Sequence, residues 1–288
     1  MSEIMDLLFT SEFAYSIIRV TTPILFAALG AVIANTAGIA NIALEGLMLI
    51  AALVGVIVSA FTGSAWLGLI AAVLSSVAFA GVLAFFTLYY KTNVILVGSE
   101  MCIRDRSKVL PTIHIPILKD IPVLGAILSG HNILTYMAAV AVVVIYLMFK
   151  KTAFGYRLKA VGENPNAADS VGINVMRTKT IALLLSGALA GLGGAFMSMG
   201  YVSWFARDMV AGRGWIAIAA EAMGQSSTIG TTITSLLFGA ADATANALGT
   251  VGIPSELLRI LPYVVTLLGL LAYALSENRK KKRRSKGA

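Results

Sequence analysis

The segment Gly155–Val175, GYRLKAVGENPNAADSVGINV, is the most polar long stretch between two strongly apolar runs. Asn164 is a suitable N-cap, and Pro165 then falls on the first helical position, where the missing N–H of proline costs nothing. The residues from Asn166 to Val171 make about two helical turns, and Gly172 is a natural left-handed stop. The sequence therefore predicts a short, capped helix.

An excess of basic residues surrounds this predicted helix. Lysine and arginine beside apolar runs indicate the cytoplasmic side of a membrane. Ala168 and Val171, three residues apart, give the helix a small apolar face. Two interpretations remain open: a rigid element shaped to press on a partner, and an ordinary cytoplasmic loop containing Asn-Pro. The basic residues are Lys150, Lys151, Arg157, Lys159, Arg177 and Lys179, against the acidic Glu163 and Asp169.

The composition excludes a soluble globular protein. The 288 residues are 58% hydrophobic and 12% charged, whereas soluble domains are about 45–50% apolar and about 25% charged. The mean hydropathy is +0.86. We predict an all-α fold, a polytopic transmembrane helical bundle. Residues 1–276 form a single membrane domain with a cytoplasmic loop at 150–179, and residues 277–288 form a basic tail.

Apolar runs predict about nine crossings, within a range of roughly eight to ten, because a span needs roughly 20 apolar residues. An acidic flank without basic residues favours an external N-terminus. Gly214–Gly224 is about half a span and predicts a short or re-entrant helix. Proline-rich Ser107–Gly130 predicts an external loop. The predicted spans are Phe13–Ala34, Leu47–Phe61, Ser64–Tyr90, an interrupted fourth from Asn93, Asn132–Phe149, Thr180–Gly200, Ile229–Leu248 and Ser255–Leu275.

The fourth run breaks at Ser99–Arg106, SEMCIRDR, where charged residues crowd a segment too short to cross. Two interpretations are open. The residues are translated sequencing-adapter read-through that replaces part of the natural helix, or they form a native loop in a chain with one span fewer. No function is assigned to this segment or to its Cys102, the single cysteine.

The net charge of +8 comes largely from the C-terminal tail. A basic run directly after an apolar helix anchors that end at the inner leaflet, so we expect a cytoplasmic C-terminus and no nucleic-acid partner. His114 and His131 are interpreted as interfacial loop residues, and no metal or cofactor is expected. The seven basic tail residues are Arg279, Lys280, Lys281, Lys282, Arg283, Arg284 and Lys286.

Three residues with side-chain amides or acids stand among small residues before the second apolar run: Asn35, Asn41 and Glu45. On a helix, Asn41 and Glu45 would share one face. A carboxylate at membrane depth faces protein or a water-filled cavity. These residues are candidates for the lining of a translocation path. The alternative, that Glu45 caps or pairs with a helix end, stays open.

Two further acids, Glu221 and Asp242, fall within apolar runs and are functional candidates by default. The alternative is a structural ion pair with Arg213 or Arg259. A separate feature, a stripe of small residues, predicts a face for close helix packing. It consists of Gly187, Ala190, Gly191 and Gly194.

The sequence lacks the common catalytic motifs. It has no G-x-x-x-x-G-K-[ST] phosphate loop, no H-E-x-x-H and no G-x-S-x-G. A chain with many spans and little chemistry of its own, together with a docking-shaped helix, indicates a pore subunit moved by a separate motor.

Five stretches carry a family resemblance. They resemble the ABC-transporter permeases of the branched-chain amino acid/ribose group, and NIALEG is most similar to the nucleoside-uptake branch, whose binding proteins are basic-membrane-protein-type lipoproteins. The resemblance covers nearly the whole chain in order and departs at Ser99–Arg106. The stretches are Thr22–Ala52, Phe154–Asn174, LSGALAGLGGAFMSMG, GRGWIAIAAEAMG and LPYVVTLLGLLA.

The resemblance implies a prokaryotic plasma-membrane importer permease that is not itself an enzyme. Its partners would be cytoplasmic ATP-binding subunits, a second permease expected to be a paralogue, and an extracytoplasmic substrate-binding lipoprotein. Gly162–Ile173 would be the coupling helix that fits the ATPase. Its ATPase-coupling residues would be Gly162, Glu163, Asn164, Pro165, Asn166, Ala168, Gly172 and Ile173.

Alternatives from other classes remain. A stand-alone secondary transporter would use Glu45, Glu221 and Asp242 to carry ions. An intramembrane enzyme has no recognisable catalytic set. The nucleoside assignment comes from resemblance alone, and sugars and branched-chain amino acids remain open as substrates.

Overall fold

A computed structural model describes residues 10–89, 108–113, 127–206 and 209–249, together with Val264 and Gly269. In this part of the chain the backbone is mostly helical, with turns and irregular connections, and Thr112 pairs with Asn132 in an antiparallel bridge. The α-helices are α1 (Ser11–Thr36), α2 (Leu44–Thr62), α3 (Ala65–Tyr89), α4 (Ile133–Lys151), α5 (Ala153–Glu163), α6 (Pro165–Ser170), α7 (Val175–Phe196), α8 (Arg213–Met223) and α9 (Thr228–Gly249), with a π-helical turn (Met197–Tyr201) after α7.

Five of the described helices are long and apolar enough to cross a membrane: α1 to α4, and α7 with its π-helical turn. The prediction of an all-α polytopic membrane bundle is confirmed. The half-span expected at 214–224 is the 11-residue helix α8. Several predicted features lie outside the described residues. They are the interrupted fourth run, residues 99–106 with Cys102, His114, Arg259, the last predicted span apart from Val264 and Gly269, and the basic tail. The number of crossings therefore stays a prediction.

Helix α1 lies at the centre of the bundle. Every residue from Val20 to Ala34 is buried, and α1 packs against α7, α9 and α8. A helix that is apolar on all sides is expected in this position, because no face of it needs solvent.

The small-residue stripe of α7 is a packing face, as predicted. A Cβ on Gly187 would collide with Ala80 of α3, and one on Gly191 would lie 2.9 Å from the Ser76 Cβ. A Cβ on Gly194 would collide with the Met48 carbonyl of α2. Small residues thus bring α7 to backbone contact with two neighbours, as is usual for helices in lipid.

Two helices begin inside the bundle. After α1 ends, residues 37–43 lead back into the interior, where the Asn41 amide donates to the Ser186 hydroxyl at 2.9 Å, halfway along α7. Helix α2 starts three residues later. Helix α8 also starts in the interior and runs antiparallel to α9, since Thr234 of α9 donates to the Ala220 carbonyl of α8.

The end of the bundle opposite the C-terminus of α1 is closed by a small cap around His131. Its ring stacks on Tyr15 with centroids 4.0 Å apart, and the Tyr15 hydroxyl donates to the Gly130 carbonyl. Residues 108–113 pack beside it, with the Ile113 N–H bonded to the His131 carbonyl. His131 is therefore a structural loop residue, as interpreted from the sequence.

Candidate functional site

The predicted capped helix is present as α6. The Asn164 side chain accepts a hydrogen bond from the Ala167 N–H at 3.0 Å, and Pro165 occupies the first turn. Gly172 has φ +84°, the left-handed geometry that favours glycine at a helix end. The helix begins at Pro165, as predicted, and ends at Ser170, one residue before the predicted end at Val171.

The surroundings of α6 differ from the prediction in two ways. Gly162 and Glu163, included in the implied coupling helix, form the end of a separate helix, α5. Ala168 is buried but Val171 is 76% exposed, so the two do not form a common apolar face. The reason is that the helix ends at Ser170, so Val171 is its C-cap residue, with φ −96° and ψ 13°, and lies outside the helix.

Helix α5 was missed by the sequence reasoning, although its signals are local. The Thr152 hydroxyl caps it by accepting from the Gly155 N–H. Gly155, Leu158 and Val161 are its buried residues, a spacing of three that marks one helical face. The α5–α6 segment, residues 153–170, is therefore a pair of short helices with a fixed internal geometry.

The α5–α6 segment is seated on the C-terminal end of α1. A Cβ on Gly162 would collide with the Thr36 carbonyl oxygen and would lie 3.2 Å from the backbone nitrogen of Gly38, which has φ +72°. This close approach is possible because neither glycine has a side chain. The α5–α6 segment and the C-terminal end of α1 are therefore in direct backbone contact.

Glu45 caps a helix, which was the structural alternative in the sequence analysis. Its carboxylate oxygens accept from the Gly212 N–H at 2.9 Å and the Gly214 N–H at 2.6 Å, at the N-terminus of α8. A carboxylate there satisfies free backbone donors and the positive end of the helix dipole. Asn41 precedes α2 and is not helical, so the expected shared face with Glu45 does not form.

Asn35 and Glu221 meet where α1 and α8 end. The Asn35 amide donates to Glu221 Oε1 at 2.8 Å and to the Ser226 hydroxyl oxygen at 3.0 Å. The Ser226 hydroxyl donates to the same Glu221 oxygen at 2.6 Å. We call these three residues the polar triangle. Ser226 was not identified from the sequence. Its partner Asn35 is 191 residues away, and its bond to Glu221 depends on the conformation of the turn after α8.

Asp242 is paired with Arg213, one of the two partners considered from the sequence. The Arg213 guanidinium donates to the Asp242 carboxylate at 2.9 Å, and both side chains are largely buried. Arg213 also lies 5.9 Å from the centre of the Tyr201 ring, and Arg19 lies 4.7 Å from it. Helices α1, α8 and α9 are thereby linked through the π-helical turn after α7.

No set of three or more His, Cys, Asp or Glu side chains arranged to hold a metal ion occurs in residues 10–89, 108–113, 127–206 and 209–249. The acids of the bundle interior instead bond to helix ends and polar side chains. Glu45 binds backbone donors, Glu221 binds Asn35 and Ser226, and Asp242 binds Arg213. In the described residues, these interior acids therefore bond neighbouring helices to one another.

A bundle of membrane-spanning helices, with polar links between half-length and full-length helices and a rigid helical segment seated at one end, defines a polytopic transport subunit. The chain belongs to the family described as branched-chain amino acid transport system / permease component, which matches residues 104–270. It is thus a permease of the ABC-transporter type and not itself an enzyme. The family implies ATP-binding subunits and substrate-binding proteins as partners.

Curated relatives support the same assignment. The nucleoside ABC transporter permease protein NupC of Lactococcus lactis is 31% identical over 283 residues, covering 88% of this chain and 89% of that protein. The guanosine ABC transporter permease protein NupQ of Bacillus subtilis is 31% identical over 283 residues, covering 87% and 88%. A second Lactococcus lactis nucleoside permease, NupB, is 35% identical over 133 residues, covering 46% and 36%. No solved structure matches this chain.

Proposed function

We propose that this chain is the permease subunit of an ABC importer that moves nucleosides, or a similar small polar solute, across the plasma membrane of a prokaryote. The substrate class is supported by the names of NupC and NupQ, which resemble this chain over nearly its whole length. Sugars and branched-chain amino acids are the alternative substrates.

The α5–α6 segment is the observation that carries the mechanism. It is capped by Thr152 and Asn164 and joined to the end of α1 without an intervening flexible side chain. ATP-driven closure of two ATPase subunits would push two such segments together and switch the paired permeases between two rigid arrangements. Asn164, Pro165, Asn166, Ala168, Gly172 and Ile173 are the proposed ATPase-coupling residues.

The charge pattern supports a cytoplasmic position for this segment and for the C-terminus. Basic residues flank the segment and fill the tail, as expected on the inner side of a membrane. A substrate-binding lipoprotein would then deliver solute at the opposite end. The second permease is proposed to be a paralogue, because Lactococcus lactis has two different nucleoside permeases that match this chain.

The translocation path is proposed to pass close to Glu45, where α2 and α8 both begin inside the bundle. Glu45 is half-buried, whereas Asn41 is 4% exposed and bonded to Ser186, which supports a structural role for Asn41. Since Glu45, Glu221 and Asp242 are all engaged, an ion-carrying set for a stand-alone secondary transporter has less support than an ATP-driven gate.

A charge at Val171, the residue directly after the α5–α6 segment, tests the docking proposal. We expect Val171→Asp to abolish retention of the ATPase subunit on immobilised, detergent-solubilised permease and to lower ATP-driven uptake about tenfold or more, because an unpaired charge would be buried in the interface. Val109→Asp is the matched control, since Val109 is also exposed, at 53%, and lies near the opposite end.

The folded state is checked separately, by membrane content and thermal unfolding of both variants. Equal retention of the ATPase subunit by Val171→Asp and by Val109→Asp would contradict the assignment of the α5–α6 segment as the docking site.

A further inference from the structure

The polar triangle closes a turn that is otherwise strained. Gln225 and Ser226, between α8 and α9, have φ of +55° and +53°, a left-handed conformation that non-glycine residues seldom adopt. The Ser226 backbone N–H donates to the Glu221 carbonyl at 3.2 Å, and its hydroxyl donates to the Glu221 carboxylate. Glu221 thus holds the turn through both its carbonyl and its carboxylate. Strained residues of this kind often occur in segments that change conformation during function.

Asn35 ties this turn to α1. Its amide bonds to both Glu221 and Ser226, although it lies 186 residues from the first and 191 from the second along the chain. Glu221 itself is 4% exposed. The bond to Glu221 joins α1 to the end of α8, and the bond to Ser226 joins α1 to the α8–α9 turn.

Thr36, the residue after Asn35, contacts the α5–α6 segment. Thr36, adjacent to Asn35, presents the carbonyl against which Gly162 packs, and Gly38 packs on the same glycine. The polar triangle therefore begins one residue from the seat of the α5–α6 segment. Motion at that seat reaches the α8–α9 turn through Asn35.

The far end of α8 lies in the bundle interior. Glu45 holds its N-terminus through Gly212 and Gly214, and Arg213 is paired with Asp242. Helix α8 is only 11 residues long and is held by polar bonds at both of its ends. A shift at the polar triangle is delivered to the position where α2 and α8 begin.

We propose that Asn35 and Glu221 are positioning residues for energy coupling, which pass movement of the α5–α6 segment to α8 and so to the interior of the bundle. This inference rests on the proposed function, since it assumes an ATP-driven partner. Glu221 acts as a hydrogen-bond acceptor and not as an ion carrier. Its charge is therefore dispensable, while its side-chain oxygen is required.

The test uses the complete assembly in proteoliposomes: both permeases, the ATPase subunits and the binding protein, with uptake of radiolabelled guanosine and ATP hydrolysis measured in the same sample. For Asn35→Ala and Glu221→Ala we expect solute moved per ATP hydrolysed to fall about tenfold, within the usual range of coupling between sites. Glu221→Gln keeps the oxygen that accepts from Asn35 and Ser226, and we expect it to stay within about twofold of the parent. Asn246→Ala, an exposed asparagine on α9, should leave the ratio unchanged.

The variant Ser226→Gly distinguishes a specific loss of coupling from misfolding. Glycine suits the left-handed backbone at this position, so the turn is kept while the hydroxyl is lost, and we expect a partial loss of coupling with unchanged thermal unfolding. The proposal is overturned if uptake and ATP hydrolysis fall in the same proportion in Asn35→Ala, or if Glu221→Gln is as damaging as Glu221→Ala. Absence of ATP-driven uptake by the parent assembly would instead overturn the proposed function.

Discussion

Glu45 shows how a single carboxylate is accommodated inside an apolar bundle. A charged side chain at membrane depth is costly unless it is paired. Glu45 meets this requirement by binding two backbone N–H groups at the N-terminus of α8, where the helix dipole also favours a negative charge. The link joins α8 to the start of α2, so one residue fixes two helix beginnings relative to each other.

Replacing Glu45 should therefore loosen α8. We expect Glu45→Ala to lower the free energy of unfolding by about 2 kcal/mol, because hydrogen bonds to a charged acceptor contribute about 1.5–3 kcal/mol. Glu45→Gln, which keeps one acceptor oxygen, should lose less. The measurement is the apparent Tm of the purified permease in detergent. The control is Glu12→Ala, at an exposed position in the first turn of α1. An equal fall of the apparent Tm in Glu12→Ala and Glu45→Ala would contradict the capping role of Glu45.

The burial of His131 predicts that the cap at the other end is sensitive to pH. Burial lowers the pKa of its imidazole, a hydrogen bond to the Ile127 carbonyl acts in the opposite direction, and the nearby Arg19 lowers the pKa further. The unfolded chain therefore binds a proton at a higher pH than the folded chain does. By linkage, the stabilising contribution is fully present above the unfolded pKa of about 6.5 and is lost as pH falls below it.

We predict that the apparent Tm of the parent protein falls on acidification below about pH 6.5, and that His131→Phe reduces this slope. Phenylalanine keeps an aromatic ring for the stack on Tyr15 but cannot take up a proton. Thermal unfolding between about pH 5 and 8 measures the effect. An identical pH slope in the variant would show that other groups determine the acid sensitivity.

Prediction from sequence succeeded at residues whose partners are local. Asn164, Pro165 and Gly172 act within a few positions, so cap, first turn and stop are all visible in the sequence. Glu45 and its backbone partners are 167 and 169 residues apart, and no local pattern indicates such a contact. The same holds for Asn35 and Glu221.

At the scale of elements, close packing of α7 depends on glycines that face backbone. Gly194 is the clearest case, because a Cβ there would collide with the Met48 carbonyl oxygen, which cannot move without moving α2. The stripe was predictable from its spacing. The helix that each glycine contacts could not be predicted, because it depends on the tertiary arrangement. Helix α5 was not predicted, because its buried face consists only of Gly155, Leu158 and Val161 among polar and basic residues.

Two glycine substitutions separate packing from helix propensity. We expect Gly194→Ala to destabilise the protein by about 1–3 kcal/mol through overpacking. Gly81→Ala should be neutral or stabilising by up to about 1 kcal/mol, because alanine favours helix and its Cβ would lie 3.5 Å from the nearest Leu184 atom. Apparent Tm in detergent measures both. Tolerance of Gly194→Ala would show that α2 and α7 are not in rigid backbone contact.

At the scale of the whole molecule, the chain combines membrane helices, a seated α5–α6 segment and engaged interior acids. Composition alone predicted the membrane bundle, because 12% charged residues cannot cover a soluble core. The mechanical connection between the α5–α6 segment, the polar triangle and Glu45 required the structure. Together these features describe a gate whose energy comes from another subunit.

Accumulation of radiolabelled guanosine in proteoliposomes tests this central claim most directly. One set of vesicles holds the complete assembly with ATP on the side of the ATPase subunits, and the other holds this permease alone under proton and sodium gradients. We predict uphill uptake only in the first set, and its loss when Val171→Asp is introduced. Uphill uptake by the permease alone under an ion gradient would contradict the account.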